Sequence, residues 1–490
     1  MDFFVSHYAF KNLKVTIPIN WNIDPYKNKN WVLHFMSFRW MERFSIGDQL
    51  ILVKDYFDFF YVKKNRDTYI KTLRGDHAAA IRLSFLINLA SKQTGENKFF
   101  LRELIQKEIL NALDDKMYRA GHNHALMLDN SLLDCYLYDK TLLTLSNLNL
   151  VVSRGVSTAK KLYCDSGITR EHSVSYQEYN LPILFEFFKK IKDIDGVLDD
   201  AIDYMNSVSF NSLFILSAML NSKGEYFAIG DTLRPTKPKI IKKVFGDENA
   251  LNSFSKNMYG IYCNGGFFVF KKLVGDKLLH FVSTCQWNSY NHKQDDELSF
   301  CLEYNGNLIF DDPGYSGFLS LDQQAIIYSR KGHSTFFIEE LEWVSKTSSP
   351  FGSVIDHSAF DEHGFELSAS HQRQLPNNKC TRSFKLFEKN LLVRDTFTNL
   401  DSLFEKTATH RFVLNPKIKV NVYGDLVHLM ISDRVIATIE NLLAKDDGKW
   451  NVVKIPYVES DSRVITSTVC LDFSYTLKSN TVEFLINLLD

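Results

Sequence analysis

The stretch SYNHKQDDELSFCLEYNGNLIFDDPGY, Ser289 to Tyr315, decides how the second half of this chain folds. Two apolar-rich runs, LSFCLEY and NLIFDD, flank the dipeptide Asn305-Gly306. Both residues of such a pair tolerate positive φ, which a two-residue type I′ turn requires, so the stretch predicts a β-hairpin. Counting outward from the turn, Tyr304 faces Asn307, Glu303 faces Leu308 and Ser299 faces Asp312. Asp312 then lands at the open end, beside the segment that carries His292, Gln294 and Asp296. Such a group is either a solvated turn or a built site, and spacing alone leaves both readings open.

Outward from the hairpin, β character continues to the C-terminus. GGFFVFKKL from Gly265, KLLHFVST from Lys277, KNLLVRDTF from Lys389, PKIKVNVYG from Pro416 and SRVITSTVCLDFSYTL from Ser462 are rich in Val, Ile, Phe and Tyr. They are bounded by Gly, Asn and Asp, as strands are. One short helix is expected near Leu321 to Tyr328, and the final NTVEFLINLLD fits either a strand or a short helix. Toward the N-terminus the period changes. In LRELIQKEILNAL the apolar residues Leu101, Leu104, Ile105, Ile109, Ala112 and Leu113 form the stripe of an amphipathic helix. Trp31 to Phe44, Ala78 to Ser91, Leu181 to Ile194 and Phe210 to Ser222 read the same way, with Pro182 suited to a helix's first turn. The period changes in the Gly- and Pro-marked segment between about residues 235 and 260. That divides the chain into a helical domain, 1–245, and an antiparallel β domain, 246–490.

The length of 490 residues implies two or three domains, and 45% apolar with 23% charged residues is ordinary globular composition. A formal net charge of -1 offers no basic excess for nucleic acid. A local Arg and Lys cluster could still hold a polyanion. The seven cysteines are dispersed with no CxxC pair, which argues against a thiolate zinc site and for reduced thiols in a cytoplasmic protein. MDFFVSHYAFKNLKV does not read as a secretory signal, so a periplasmic or secreted location would require one already removed. No apolar stretch reaches the ~18 residues of a membrane span. The 39 Phe and 22 Tyr point to large cores, with some aromatic faces suited to sugar rings.

Four segments together match a known pattern. NHKQDDELSFCLEYNGNLIFDDPGY followed by SRKGHSTFFI resembles the C-terminal segment of the heparinase II/III-like polysaccharide lyases. That family shows His-x-His, an Asp, a Leu-Ser-Phe strand, a strand ending Asp-Pro-Gly, and then an Arg with His-Asn-Thr. Upstream, GHNHALMLDNSLL (Gly121 to Leu133) resembles its Asn-His helix, and DSGITREHSVSYQEYNLPILFEF (Asp165 to Phe187) its Asp-Gly, Glu-x-Ser, Tyr segment. IGDT (Ile229 to Thr232) resembles a recurring Gly-Asp near the end of the helical domain. The resemblance implies an N-terminal incomplete α/α toroid followed by a C-terminal antiparallel β-sandwich, in agreement with the change of period.

It also implies β-elimination on a uronate-containing polysaccharide; the lack of an export signal in the sequence points to a capsule or exopolysaccharide as that substrate. Carried over by position, Asn123 donates to the uronate carboxylate, and His124 assists it or acts as base. Tyr176 gives a proton to the leaving oxygen and is a second candidate base; Tyr179 is its alternative. His292 is a base or carboxylate contact, Asp296 orients it, and Arg330 pairs with Asp296 or with a substrate acid. Some members hold a structural zinc whose ligands match Gln294, Asp312 and His333. Gln294 stands where the family has His, which implies a zinc site weakened or lost. Two other readings remain open: a non-catalytic carbohydrate-binding or polysaccharide-assembly protein on the same scaffold, and a hydrolase using Glu171 and Asp129 as paired carboxylates.

Overall fold

The computed structural model describes residues 1–63, 75–194, 199–234, 238–245, 260–263, 265–288, 292–315, 317, 321–344, 352–375, 378–398, 403–443, 447–459 and 464–490. The chain packs as two compact units, Met1–Leu162 with Pro182–Asn206, and Tyr163–Leu181 with Ser207–Asp490. Ser289 to Asn291, the first residues of the deciding stretch, lie outside the described residues, as does most of the segment around the expected boundary.

The first unit opens with a hairpin that the helical reading missed, β1 (Asp2–His7) against β2 (Phe10–Thr16). Helices follow: α1 (Lys29–Met36), α2 (Ile46–Phe57), α3 (Gly75–Ser91), α4 (Gly95–Ala112), α5 (Asn123–Tyr138) and α6 (Leu145–Leu162). Trp31 to Phe44 is not one helix. α1 starts at Asn28, whose side chain accepts from the N–H groups of Asn30 and Trp31, and it stops before Phe38, at φ 65°. Nine residues at 100° each would aim Trp40 away from Trp31. The break lets Trp40 join Trp31, Phe35 and Trp21 in one buried aromatic cluster. α3 is buried nearly all round, so its Arg82 needs a partner. Glu108 of α4 supplies it at 2.7 Å, with the hydroxyls of Tyr56 and Tyr61 donating to its other oxygen at 2.8 Å each.

α7 (Val174–Lys192) and α8 (Asp199–Ala218) each contribute to both units. Pro182 is not in a first turn but inside α7, so the carbonyl of Glu178 loses its helical donor. The helix begins earlier because Thr232 caps it from outside: its hydroxyl oxygen accepts from the N–H groups of Val174 and Ser175 at 3.1 and 3.3 Å.

In the second unit, after α9 (Lys239–Phe245), the described chain is antiparallel β apart from α10 (Leu321–Tyr328) and a 3-10 turn. β3 (Gly260–Cys263), β4 (Phe267–Val274), β5 (Lys277–Thr284), β6 (Ser299–Tyr304) and β7 (Asn307–Phe310) form a meander. β17 (Lys449–Val458), β18 (Ile465–Thr476), β13 (Thr407–Val413) and β8 (Phe336–Ile338) form a four-stranded sheet in that order. A bridge from Phe310 to Leu414 joins these two sheets. The third sheet has the order β14 (Lys419–Tyr423), β15 (Leu426–Ile431), β16 (Arg434–Asn441), β19 (Thr481–Leu488), β12 (Asn390–Phe397), β11 (Asn378–Phe387), β10 (Gly364–Leu375), β9 (Val354–Phe360). The ambiguous C-terminal run is thus a strand.

Phenylalanines fill the space between the sheets: Phe281 meets Phe365 at 4.7 Å, Phe300 meets Phe384 at 5.3 Å, and Phe412 meets Phe484 at 5.2 Å. This is the face-to-face packing of a β-sandwich, and much of the aromatic surplus goes into its core. Strand β19 alternates buried and half-buried positions, whereas β6 is buried on both faces.

The Asn305-Gly306 turn is present, with φ of 50° and 74°. Tyr304 pairs with Asn307 and Glu303 with Leu308, but Leu302 then pairs with Phe310. Ile309 is an extra residue, a β-bulge, so Ser299 does not face Asp312. The bulge lets β7 end against Leu414, and the Asp311 N–H donates to the Val413 carbonyl at 3.0 Å.

Candidate active site

In the second unit, the first turn of α7 carries Tyr176, and the imidazole of His292 stacks on its ring with centroids 3.5 Å apart and planes at 20°. His292 itself has φ 55°, a left-handed conformation that costs a β-carbon-bearing residue energy. Its Nδ1 lies 3.0 Å from Oδ2 of Asp231, and the other carboxylate oxygen accepts from Nε2 of Gln294 at 2.9 Å. Asp231 and Gln294 are buried, while the His292 side chain keeps 27% of its surface exposed. Asp231 reaches this position through Gly230, at φ 61°, where a β-carbon would stand 2.1 Å from the His172 carbonyl oxygen. Only glycine fits there.

Burial, and then the nearby Tyr315, Asp231, Glu171 and Tyr179, push the Tyr176 phenol well above its ordinary range. The phenol therefore stays protonated and suits a proton donor. Tyr179 is half exposed and meets Tyr176 edge-on at 6.3 Å. Glu171 is buried and accepts from Asn180 at 2.7 Å; burial raises its pKa against that bond and against His292.

Asp296 does not orient His292. It ion-pairs with the buried ammonium of Lys293, which holds its carboxyl below the ordinary range despite burial. The carboxylate that meets the His292 ring is Asp231, 61 residues upstream. Arg330 pairs with Glu342 at 2.7 Å rather than with Asp296.

Asp312 and His333, both buried, meet each other: His333 Nδ1 lies 2.9 Å from Asp312 Oδ2, and the Gly314 N–H donates to Oδ1 at 3.0 Å. Burial alone would lower the His333 pKa, but the Asp312 carboxylate more than reverses this. A structural zinc takes four donors from Cys, His, Asp and Glu. One imidazole, one carboxylate and an amide already bonded to Asp231 do not fit that set. Among the described residues no three of those side chains gather as metal ligands.

In the first unit, Asn123 opens α5 and is buried, and His122 caps the helix by accepting from the His124 N–H. Arg119 contacts Nδ1 of His124 at 2.7 Å and holds Asp76 at 2.6 Å. A guanidinium can only donate, so Nδ1 accepts and the His124 proton sits on Nε2. The ring of His77 lies 4.1 Å from that of His124; burial, then the charge of Arg39, lower its pKa to about 4. Asp129, also in this unit, is bonded to Arg154 at 2.7 Å and Tyr118 at 2.8 Å. Sequence reasoning noticed the Gly-Asp of residues 230–231 without giving Asp231 a task, and it passed over Asp76, His77 and Arg119.

Residues 262–467 match the family described as Heparinase II/III-like, C-terminal. The β-rich region is similar to the C-terminal domain of that family. The fold as a whole has solved counterparts. The heparan sulfate lyase HepC from Pedobacter heparinus, in a mutant form, is 15% identical with a TM-score of 0.72, over 99% of this chain and 80% of that one. A heparinase III, the BT4657 gene product, is 13% identical with a TM-score of 0.73, over 100% of this chain and 82% of that one. A chondroitinase AC lyase is 9% identical with a TM-score of 0.56, over 94% and 75%. Sequence comparison with curated proteins gives no match. At these identities the likeness concerns the fold, and the fold class expected from the sequence stands: an N-terminal incomplete α/α toroid, then an antiparallel β-sandwich. Among the described residues no helix is long and apolar enough to cross a membrane.

Proposed function

We propose that this protein is a polysaccharide lyase that cleaves an acidic, uronate-containing glycan by β-elimination. The observation that carries this reading is the Tyr176–His292 stack, with Asp231 behind the imidazole, on a heparinase II/III-like domain. The proton to be removed lies on the carbon next to the uronate carboxylate and is barely acidic until that charge is neutralised. An elimination therefore needs a donor at the carboxylate, a base for the carbon-bound proton and an acid for the departing oxygen.

In this reading His292 is the base and Tyr176, held protonated, is the acid. Asn123 and His124 attend to the carboxylate; a His124 whose proton sits on Nε2 favours donation there over the role of base. Tyr179 and Arg330 are candidate substrate contacts. The test is a panel of acidic glycans followed at the absorbance of the unsaturated uronate. Cleavage by the wild type, lost in Tyr176→Phe and His292→Ala, supports the reading; unchanged rates in both variants would remove it. Gln294 favours a second reading, a glycan-binding or polysaccharide-assembly protein, which requires binding across the panel with no new absorbance.

A further inference from the structure

His292 is presented by an unusual set of bonds. Its backbone is left-handed, its ring is pressed on Tyr176, and its Nδ1 faces a buried carboxylate. Asp231 in turn has no freedom to rotate. Oδ1 accepts from the fully buried Gln294, and the Tyr328 hydroxyl also hydrogen-bonds this carboxylate. The chain enters at Gly230, where no side chain fits, and leaves at Thr232, which caps the helix carrying Tyr176. One turn of three residues thus locates both members of the stack.

We infer that Asp231 is a positioning residue for His292, and that Gln294 is its anchor. A carboxylate oxygen can only accept from Nδ1, which places the neutral imidazole's proton on Nδ1 and leaves the lone pair on Nε2. Gln294 gains a task here that does not involve a metal: its amide N–H fixes the carboxylate at the angle the imidazole needs.

What the lone pair does rests on the lyase reading. Nε2 takes the proton from the carbon α to the carboxylate. The electrons of that C–H bond form the carbon–carbon double bond, the bond to the glycosidic oxygen breaks, and Tyr176 gives that oxygen its proton. The imidazolium then returns a proton to the phenolate, so the net change is one proton moved from carbon to oxygen.

The test begins with ¹⁵N-labelled wild-type protein and two-bond ¹H–¹⁵N spectra of neutral His292. The expected pattern is a protonated Nδ1 and an unprotonated Nε2; the opposite tautomer would overturn the inference. Asp231→Asn keeps the shape of the side chain but can present an N–H to Nδ1, so it should shift the tautomer. It should also lower kcat on the order of 10⁴-fold with little change in KM, as the wrong tautomer does when the same change is made in a Ser-His-Asp triad. Asp231→Glu, which keeps the acceptor, should recover part of the loss, and Gln294→Leu should cost about tenfold. A merely structural role predicts that Asn, the closer mimic, is the milder change. If the wild type cleaves no acidic glycan, the lyase reading falls, and the tautomer spectra of wild type and Asp231→Asn still decide the positioning role.

Discussion

The imidazole of His292 lies flat on the phenol ring of Tyr176, centroids 3.5 Å apart. Stacking holds an imidazole and a phenol against each other as one aromatic pair. Burial of the phenol is the largest cause of its raised pKa and keeps it protonated.

Tyr176→Phe keeps the aromatic ring and deletes the hydroxyl proposed as the acid. Glycan cleavage should fall by about 10²–10⁴-fold, the usual worth of a general acid, with an unchanged far-ultraviolet circular dichroism spectrum. Because the phenol's pKa is raised, its ionisation should not limit the rate below about pH 10. A rate profile declining from neutral pH in wild type, and flat in a residually active Phe variant, would contradict this.

The sequence made some of this legible and hid the rest for physical reasons. The Asn305-Gly306 turn is a local signal, since two residues carry the whole conformational requirement. The bulge at Ile309 is set by the bridge to Leu414, more than a hundred positions away, and no local pattern encodes it. The helix start at Val174 likewise depends on Thr232, 58 residues on. The family resemblance made Asp296 the expected partner of His292. The buried ammonium of Lys293, which also pairs with Glu297, claims it instead, and Asp231 arrives from the Gly-Asp turn. Residue types at the candidate site were readable, but their pairings depend on the tertiary fold.

Gly230→Ala should be costly twice over. A β-carbon 2.1 Å from the His172 carbonyl oxygen, at φ 61°, forces the turn to move. The expected loss is roughly 1–3 kcal/mol in urea unfolding, the range of backbone-strain mutations. Cleavage should fall even at temperatures where the variant is folded, since Asp231 moves with the turn. A variant with wild-type stability would show that the turn accommodates a side chain.

Asp312 and His333 meet as a buried charge pair, with no third ligand beside them among the described residues. Chelation with EDTA should leave Tm unchanged, and purified protein should carry far less than one equivalent of zinc by plasma mass spectrometry. Asp312→Asn should lower stability by about 3–5 kcal/mol, because it leaves a buried imidazolium without its counter-charge. Stoichiometric zinc, or a Tm that drops on chelation, would contradict the pairing.

Lys271 provides a pH test within the sheet. It lies on β4 opposite His280 of β5, which faces Glu303 of β6, and its ammonium donates to the Leu220 carbonyl at 2.7 Å. Burial, opposed by the charge of Glu303, lowers its pKa to about 7. Below that value both folded and unfolded chains hold the proton, and the full cost of burying the charge is present. Between about pH 7 and 10 the unfolded chain keeps a proton that the native chain has released, so stability rises with pH. Relative to Lys271→Met, wild-type ΔG of unfolding should therefore increase by on the order of a few kcal/mol from about pH 6.5 to 10. Paired urea titrations at several pH values measure it, and a difference independent of pH would show that the ammonium keeps its ordinary pKa.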